Sequence, residues 1–173
     1  MIRLAKLDDM SSIMECINDA RIFIKNTGST QWNGPLGYPD VKTFENDIKN
    51  DTCYVYEENN KVCAVIVYAG IEEEYNKEDA KWLINTNNYT TIHRIAVREY
   101  ARGKGIATKL MLHAEKVSIE LGRDSIRIDT HPKNIALQNL VKKLGYTCCG
   151  SVIYNRIPVE PERLIFEKIL KKC

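Results

Sequence analysis

Several features are missing from this 173-residue sequence, and each absence excludes a class of protein. No apolar run approaches the roughly 20 residues that span a bilayer, so we expect no transmembrane helix. An excess of one charge is also missing, because 25 basic and 23 acidic side chains leave a net charge of +2. This balance argues against nucleic acid or a membrane surface as a partner. The first nine residues contain no signal-peptide core, which favours a cytoplasmic protein.

Disulfide and metal patterns are missing as well. None of the six cysteines forms a C-x-x-C pair, and the adjacent Cys148 and Cys149 are poorly placed to chelate one zinc ion. The three histidines show no metal spacing either. We therefore expect reduced thiols that act as small hydrophobic side chains, and no bound metal.

What remains is the composition of an ordinary globular protein, with 44% hydrophobic and 28% charged residues. The length suits one domain with a sizeable core, and no repeat or linker divides it, so residues 1–173 are predicted as a single domain. Strand patterns are predicted at residues 2–4, 53–56, 61–68, 90–97, 125–130, 148–154 and 163–170. Helical patterns are predicted at residues 10–24, 41–49, 106–121 and 134–144.

Local signals add detail to these elements. Asp8 or Asp9 is expected to cap the first helix, and Asp40 the second. Residues 57–60 join two strands as a hairpin with asparagine in the turn. The polar segment 71–88 is interpreted as an insertion or lid, with one helical turn at 80–84. The strand–helix–strand run from 90 to 130 predicts a parallel βαβ unit, and hence a mixed α/β fold with a central mixed sheet flanked by helices.

The chemistry concentrates where the strand ending at Val97 leads into a helix. Gly103 and Gly105 remove side chains at the helix start, while Arg102 and Lys104 add positive charge. A helix start has unpaired N–H groups and a partial positive charge, so this combination suits a pyrophosphate. The alternative is an ordinary strand-to-helix turn that uses glycine for conformational freedom.

The hexapeptide Arg102-Gly-Lys-Gly-Ile-Ala107 resembles the R/Q-x-x-G-x-G/A signature of the GCN5-related N-acetyltransferase (GNAT) superfamily. The preceding Ile95-Ala96-Val97 resembles that family's cofactor strand, and Asn134 with Leu144-Gly145-Tyr146 resembles its "N…LGF/Y" helix. The match follows the element order over nearly the whole chain and is clearest from about residue 90 to 154.

The resemblance implies transfer of an acetyl group from acetyl-CoA to a primary amine of a small molecule or peptide, by direct attack in a ternary complex. It implies that the two parallel strands splay apart and that the pantetheine arm enters the opening. The cofactor-binding residues it implies are Ile95, Ala96, Val97, Arg102, Gly103, Lys104, Gly105, Ile106, Ala107, Thr108 and Asn134. Asn134 equally suits a helix N-cap, and the side chains of Ile95–Val97 equally suit the core.

Three further residues are candidates on the acceptor side. Strand alternation places His93 on the face of Ile95 and Val97, where it is a candidate general base or relay, or else a hydrogen-bonded core histidine. Trp32 and Tyr38 lie in a loop that in the family shapes the acceptor pocket, although a tryptophan there also suits the edge of the core. The family's usual acid, a tyrosine four residues before the closing glycine, is replaced by Val141. Tyr146 and Tyr154 are weak substitutes for it.

Two other functions remain open. A dinucleotide-binding oxidoreductase would use Gly103-x-Gly105 and Asp129, but Thr108 stands where the third glycine belongs and the loop after Val97 is too long. A catalytically silent acyl-CoA sensor is compatible with the missing tyrosine. The sequence does not specify the acceptor, and it leaves open whether the protein is a homodimer.

Overall fold

The computed structural model describes residues 1–76 and 80–170, and within them it contains seven strands and four helices. The strands are β1 (Ile2–Leu4), β2 (Cys53–Glu58), β3 (Lys61–Ala69), β4 (Tyr89–Val97), β5 (Ser125–Thr130), β6 (Thr147–Ile153) and β7 (Glu162–Ile169). The helices are α1 (Met10–Asn26), α2 (Val41–Lys49), α3 (Ile106–Glu120) and α4 (Ile135–Lys143). Part of the predicted 71–88 insertion, residues 77–79, and the thiol of Cys173 lie outside the described residues.

The strands form one mixed sheet in the order β1-β2-β3-β4-β5-β7-β6. β4 and β5 pair in parallel from Tyr89↔Ser125 to Ile92↔Ile128, which confirms the predicted parallel βαβ unit. The pairs β1–β2, β2–β3, β5–β7 and β6–β7 are antiparallel. The predicted mixed α/β fold is therefore confirmed.

Two compact units divide the chain, and β4 contributes to both. The first comprises residues 1–68 and 93–113, and the second comprises residues 69–92 and 114 onward. The prediction that residues 1–173 form one domain stays a prediction.

In the first unit, α1 and α2 cover one face of β2 and β3. The buried cluster there joins helix side chains such as Ile17 and Phe44 to the strand residues Val55 and Val67, and it includes Ala96 of β4. The β2–β3 hairpin turns through Asn59 and Asn60, both with positive φ, as the asparagines in the sequence predicted. This packing includes the end of β4, the strand that leads towards α3.

The second unit has its own core around Tyr75, Tyr89 and Ile165. A buried ion pair lies within it: Arg127 Nε donates to Glu167 Oε1 at 2.8 Å, and both side chains are almost fully buried. The Arg127 guanidinium also lies between two aromatic rings, 4.0 Å from that of Trp82 and 3.9 Å from that of Tyr89. Cation–π contacts of this kind hold the segment before β4 against the sheet.

One local prediction is wrong, and a second is confirmed only in part. Residues 80–84 form no helical turn, because Lys81 N–H donates to Cys149 O and Leu83 N–H donates to a Glu167 carboxylate oxygen. A 3₁₀ turn lies instead at Glu73–Asn76. Asp9 occupies the N-cap position of α1, as predicted, but its side chain makes no cap hydrogen bond there, because its carboxylate accepts from Lys6 N–H and Arg3.

The cysteines that the structure describes behave largely as predicted. Cys16, Cys53, Cys63 and Cys149 are buried free thiols, and Cys148 is an exposed one. Burial raises the pKa of Cys16 and of Cys53 to about 12, so neither is a nucleophile at neutral pH. No helix in residues 1–76 and 80–170 is both long and apolar enough to cross a membrane.

Candidate active site

The loop between β4 and α3 is built around two glycines with left-handed backbone conformations. Gly103 and Gly105 both have φ of +75°, a region that a side chain makes unfavourable. A β-carbon at either position would meet no atom within 4 Å, so the space beside the backbone is open. The glycines are therefore required by conformation, and they leave room beside the main chain.

The main-chain N–H groups at this helix start find no acceptor among the residues that the structure describes. Lys109 N–H donates to Gly105 O at 3.0 Å, and this is the first helical hydrogen bond of α3. In the part of the chain that the structure describes, none of the six N–H groups from Gly103 to Thr108 has a hydrogen-bond partner. Such donors, together with the positive end of the helix dipole, suit an anion.

An open depression lies over these donors and contains about 500 Å³ of space, part of it open solvent. Its lining joins the end of β4 to the start of α3: Val97, Ala101, Arg102, Gly103, Gly105, Ile106, Ala107 and Thr108. Seven of these eight residues are predicted cofactor residues. Lys104 is exposed beside them. The structure thus brings the end of the predicted cofactor strand next to the N–H groups of Gly103–Thr108, which we call the nest.

The Arg102 side chain holds the loop in place. Its Nε donates to Val97 O at 3.3 Å and its Nη2 donates to Asp19 O at 2.7 Å, while the guanidinium lies 4.9 Å from the centre of the Phe23 ring. These contacts direct the Arg102 charge towards α1. Lys104 is the exposed cation of the motif.

Asp19 of α1 is a contributor that sequence analysis missed. Its carboxylate accepts from Arg98 Nε at 2.8 Å and from Glu99 N–H at 2.9 Å. Burial opposes ionisation of Asp19, but these hydrogen bonds and the Arg98 charge outweigh it and lower the pKa. Asp19 therefore anchors the start of the β4–α3 loop as a carboxylate. Its separation of about 80 residues from that loop leaves no local signal.

On β4, the predicted residues differ in burial. Ala96 is 4% exposed and packs in the core of the first unit, as the alternative for its side chain predicted. His93, Ile95 and Val97 are partly exposed. The role of His93 as a base stays a prediction.

Arg94 interrupts the regular geometry of β4. Its φ is +48°, an uncommon conformation for an arginine within a strand, and such outliers cost about 1–3 kcal/mol. Regular alternation was the basis for placing His93 on the face of Ile95, and the left-handed residue between them removes that basis.

Arg21 holds the loop between α1 and α2 through hydrogen bonds. The Arg21 guanidinium donates to the carbonyl oxygens of Trp32, Gly37 and Pro39 at 2.8 to 3.0 Å. Trp32 packs against the core of the first unit, as the alternative to a pocket role predicted. Tyr38 is 43% exposed, and its Oη accepts from Arg94 Nη1 at 2.5 Å. Of the two predicted acceptor residues, Tyr38 thus contacts β4 directly.

Asn134 belongs to the second unit, where it caps α4. Its Oδ1 accepts from Leu137 N–H at 3.2 Å, which confirms the cap reading. A contact of Asn134 with the cofactor arm stays a prediction.

The second unit offers no accessible tyrosine acid at the positions considered. Val141 is fully buried, and Tyr146 is 4% exposed. The hydroxyls of Tyr75 and Tyr154 both donate to Asp129 Oδ1, at 2.7 and 2.8 Å. Burial, reinforced by the Asp129 charge, raises the pKa of Tyr154 far above its usual range, so this hydroxyl is a poor proton donor. The same contacts occupy Asp129, the carboxylate that a dinucleotide ribose would need.

The site is thus an open, cationic helix start after the strand that pairs in parallel with its neighbour, an arrangement that suits the phosphate groups of a ligand. A model of the acetyltransferase (GNAT) family matches residues 22–146, well over half of the chain. The chain therefore belongs to the GNAT family, and its enzyme class is N-acetyltransferase.

Three relatives illustrate the match. The crystal structure of a GNAT-family acetyltransferase from Streptococcus agalactiae 2603 is 35% identical, covers 99% of this chain and 96% of that one, and has a TM-score of 0.85. The uncharacterized N-acetyltransferase YesJ of Bacillus subtilis (strain 168) is 22% identical over 85% of this chain and 81% of its own. The PaiA N-acetyltransferase of Thermoplasma acidophilum, solved in complex with coenzyme A, shares the fold at 16% identity with a TM-score of 0.72, covering 98% of both chains.

Proposed function

We propose that this protein transfers an acetyl group from acetyl-CoA to a primary amine of a small molecule or peptide, by direct attack in a ternary complex. The observation that carries the proposal is the run of six N–H groups from Gly103 to Thr108, for which residues 1–76 and 80–170 provide no acceptor. Membership of the GNAT family supports an acyl-CoA donor, and the coenzyme A complex of the PaiA relative is consistent with it.

The chain's own groups suit the parts of that donor. The nest from Gly103 to Thr108 would hold the diphosphate, with the charge of Lys104 beside it. The main chain of Ile95 and Val97 would pair with the extended arm as an added strand, and the N–H of one of them would donate a hydrogen bond to the acyl oxygen as negative charge develops there. When bound, the thioester supplies the acyl group, and no enzyme nucleophile is required.

His93 is proposed as the base or relay that takes the proton of the amine. An alkylamine has a pKa of about 10 and is protonated at neutral pH, whereas an unperturbed histidine titrates near 6.5. His93→Ala should lower the rate most near neutral pH and less at alkaline pH, where the amine ionises by itself. An unchanged pH–rate profile removes His93 from the mechanism.

The leaving thiol is proposed to depart as a thiolate without help from a tyrosine acid. Valine stands at position 141, and Tyr154 is buried and donates to Asp129. A thiol with a pKa near 8.5, as in cysteine, is a tolerable leaving group without protonation. We expect no tyrosine-to-phenylalanine substitution in the second unit to abolish turnover.

Ligand binding and turnover together test the proposal. Acetyl-CoA should raise the melting temperature of the protein and NADH should not, because only a ligand of the native state stabilises it. A mass-detected screen of polyamines, amino acids, drugs and peptide N-termini should then give an acetylated product. Binding without any product would identify a silent acyl-CoA sensor, and stabilisation by NADH alone would refute the proposal.

A further inference from the structure

Arg94 combines an unusual backbone conformation with a side chain that is almost entirely buried. Only 10% of the side chain is exposed, although arginine is normally a surface residue. A left-handed non-glycine residue persists in a strand only where its surroundings fix it. The groups around Arg94 therefore matter for the backbone between His93 and Ile95.

Two elements hold the Arg94 guanidinium at once. Its Nη2 donates to Asp47 Oδ1 of α2 at 2.7 Å, and its Nη1 donates to Tyr38 Oη of the α1–α2 loop at 2.5 Å. Its central carbon also lies 5.8 Å from the centre of the Tyr38 ring and 6.0 Å from that of Phe44. We name Arg94, Asp47 and Tyr38 the strand clamp.

The strand clamp is imperfect as a stabilising device. Arg94 Nε and Asp47 Oδ2 are buried and have no hydrogen-bond partner in the part of the chain that the structure describes. Burying a charge pair is costly, and unpaired buried polar atoms add to that cost. Burial also raises the pKa of Asp47 despite the opposing charge of Arg94. An apolar pair would serve stability better, so the clamp's value lies in the position that it imposes.

We propose that Arg94 is a positioning residue for acetyl transfer, an inference that rests on the proposed function. The clamp fixes Arg94 at φ of +48° and thereby turns the peptide groups between His93 and Ile95 out of regular strand geometry. Those groups adjoin the proposed base and the proposed partner of the acyl oxygen. The clamp thereby sets the orientation of the acyl carbonyl relative to His93, the proposed base.

The clamp also links the α1–α2 loop to β4. Tyr38 lies in the loop predicted to shape the acceptor pocket, and its hydroxyl is used by Arg94. The exposed part of its ring is left for an acceptor. A change in this loop on acceptor binding would therefore reach the strand through Tyr38 and Arg94.

Arg94→Ala removes the clamp, and Arg3→Ala is its matched control. Arg3 belongs to the same unit and bridges Asp9 at 2.7 Å and Glu57 at 2.6 Å, but it lies on β1. With an amine found in the screen and both substrates saturating, Arg94→Ala should lower kcat roughly 10- to 100-fold with little change in the KM for acetyl-CoA, because misplaced reacting groups slow the transfer step. Arg3→Ala should lose melting temperature but keep kcat.

Equal kcat values for the two folded variants would overturn the proposal. Should Arg94→Ala fail to fold, Tyr38→Phe removes one clamp hydrogen bond and keeps the ion pair. It should lower kcat severalfold at saturating amine, and an unchanged kcat would count against the clamp. Arg94→Lys keeps the positive charge, but an ammonium group cannot bind Asp47 and Tyr38 with the planar geometry of a guanidinium. Relative to Arg94→Ala, it should therefore recover more of the stability than of kcat.

Failure of the clamp and failure of the proposed function give different results. A wild-type protein that neither binds acetyl-CoA nor acetylates any amine refutes the proposed function. In wild type that does turn over, the backbone ¹⁵N–¹H shifts of His93–Ile95 on adding acetyl-CoA provide a second readout. These shift changes should differ between wild type and Arg94→Ala and should agree between wild type and Arg3→Ala. Shift changes that agree for Arg94→Ala and differ for Arg3→Ala would refute the clamp but not the proposed function.

Discussion

The starts of α2 and α3 solve the same problem in opposite ways. At α2, the Asp40 carboxylate accepts from Thr43 N–H at 2.9 Å and from Thr43 Oγ1 at 2.6 Å. At α3, glycines replace the capping side chain, and the N–H groups of Gly103–Thr108 have no acceptor in residues 1–76 and 80–170. A helix start that caps itself contributes to stability, whereas one that is left open can bind an anion.

The open start still needs support, which comes from side chains far away in sequence. Arg102 ties the loop to Val97 O and Asp19 O, and Arg98 and Glu99 bind the Asp19 carboxylate. These contacts fix the loop without occupying the N–H groups. The comparison therefore predicts large effects on ligand binding at α3 and only stability effects at α2.

The largest expected effect is that of Gly105→Glu, which places a carboxylate and a strained φ in the nest. Acetyl-CoA affinity should fall more than about 100-fold, because the negative carboxylate would occupy the space for the diphosphate and repel its charge. Calorimetric titration measures this. Gly28→Glu is the matched control, because Gly28 also has a positive φ (+78°) and open space but follows the end of α1. Retained affinity in folded Gly105→Glu would mean that the diphosphate binds elsewhere.

Arg102→Ala should have the next largest effect. It removes two hydrogen bonds that hold the loop, and acetyl-CoA affinity should fall about tenfold. Arg21→Ala removes a similar set of bonds to the α1–α2 loop and should leave that affinity unchanged. If both variants bind alike, the geometry of the nest does not depend on Arg102.

Asn134 tests whether a self-capped start can also bind the donor. Asn134→Ala should lower the free energy of unfolding by about 1 kcal/mol, whereas Asn134→Asp keeps the cap. We expect both variants to bind acetyl-CoA severalfold more weakly, because both lose the amide. Full affinity in Asn134→Asp would reduce the role of Asn134 to capping.

The smallest effect concerns the pH dependence of the α2 cap. Hydrogen bonds from Thr43 lower the pKa of Asp40 below its ordinary value of 3.8. A lowered carboxyl pKa contributes stability that is present above the unfolded value and is lost as pH falls through the folded value. The stability difference between wild type and Asp40→Asn should therefore shrink below about pH 4, as followed by urea unfolding. A constant difference would show that the charge of Asp40 does not contribute.

Local signals in the sequence predicted turns and helix starts of this protein. Asn59 and Asn60 predicted the hairpin turn and the Gly103–Gly105 motif predicted the open helix start, because turns and helix starts depend on neighbouring residues. The family resemblance supplied the proposed chemistry.

What the sequence could not reveal depends on contacts between distant residues. Nothing near Arg94 indicates its left-handed conformation, since the partners that hold it are 47 and 56 residues away. The predicted turn at 80–84 failed for the same reason: Trp82 and Leu83 are held by Arg127 and Glu167 across the second unit. Distant partners overrode local preference at both places.

The most direct test of the central claim is amide hydrogen exchange at single-residue resolution, with and without acetyl-CoA. We expect acetyl-CoA, but not NADH, to slow exchange of the N–H groups from Gly103 to Thr108, which have no acceptor among the described residues. Unchanged exchange at these six residues under saturating acetyl-CoA would contradict it.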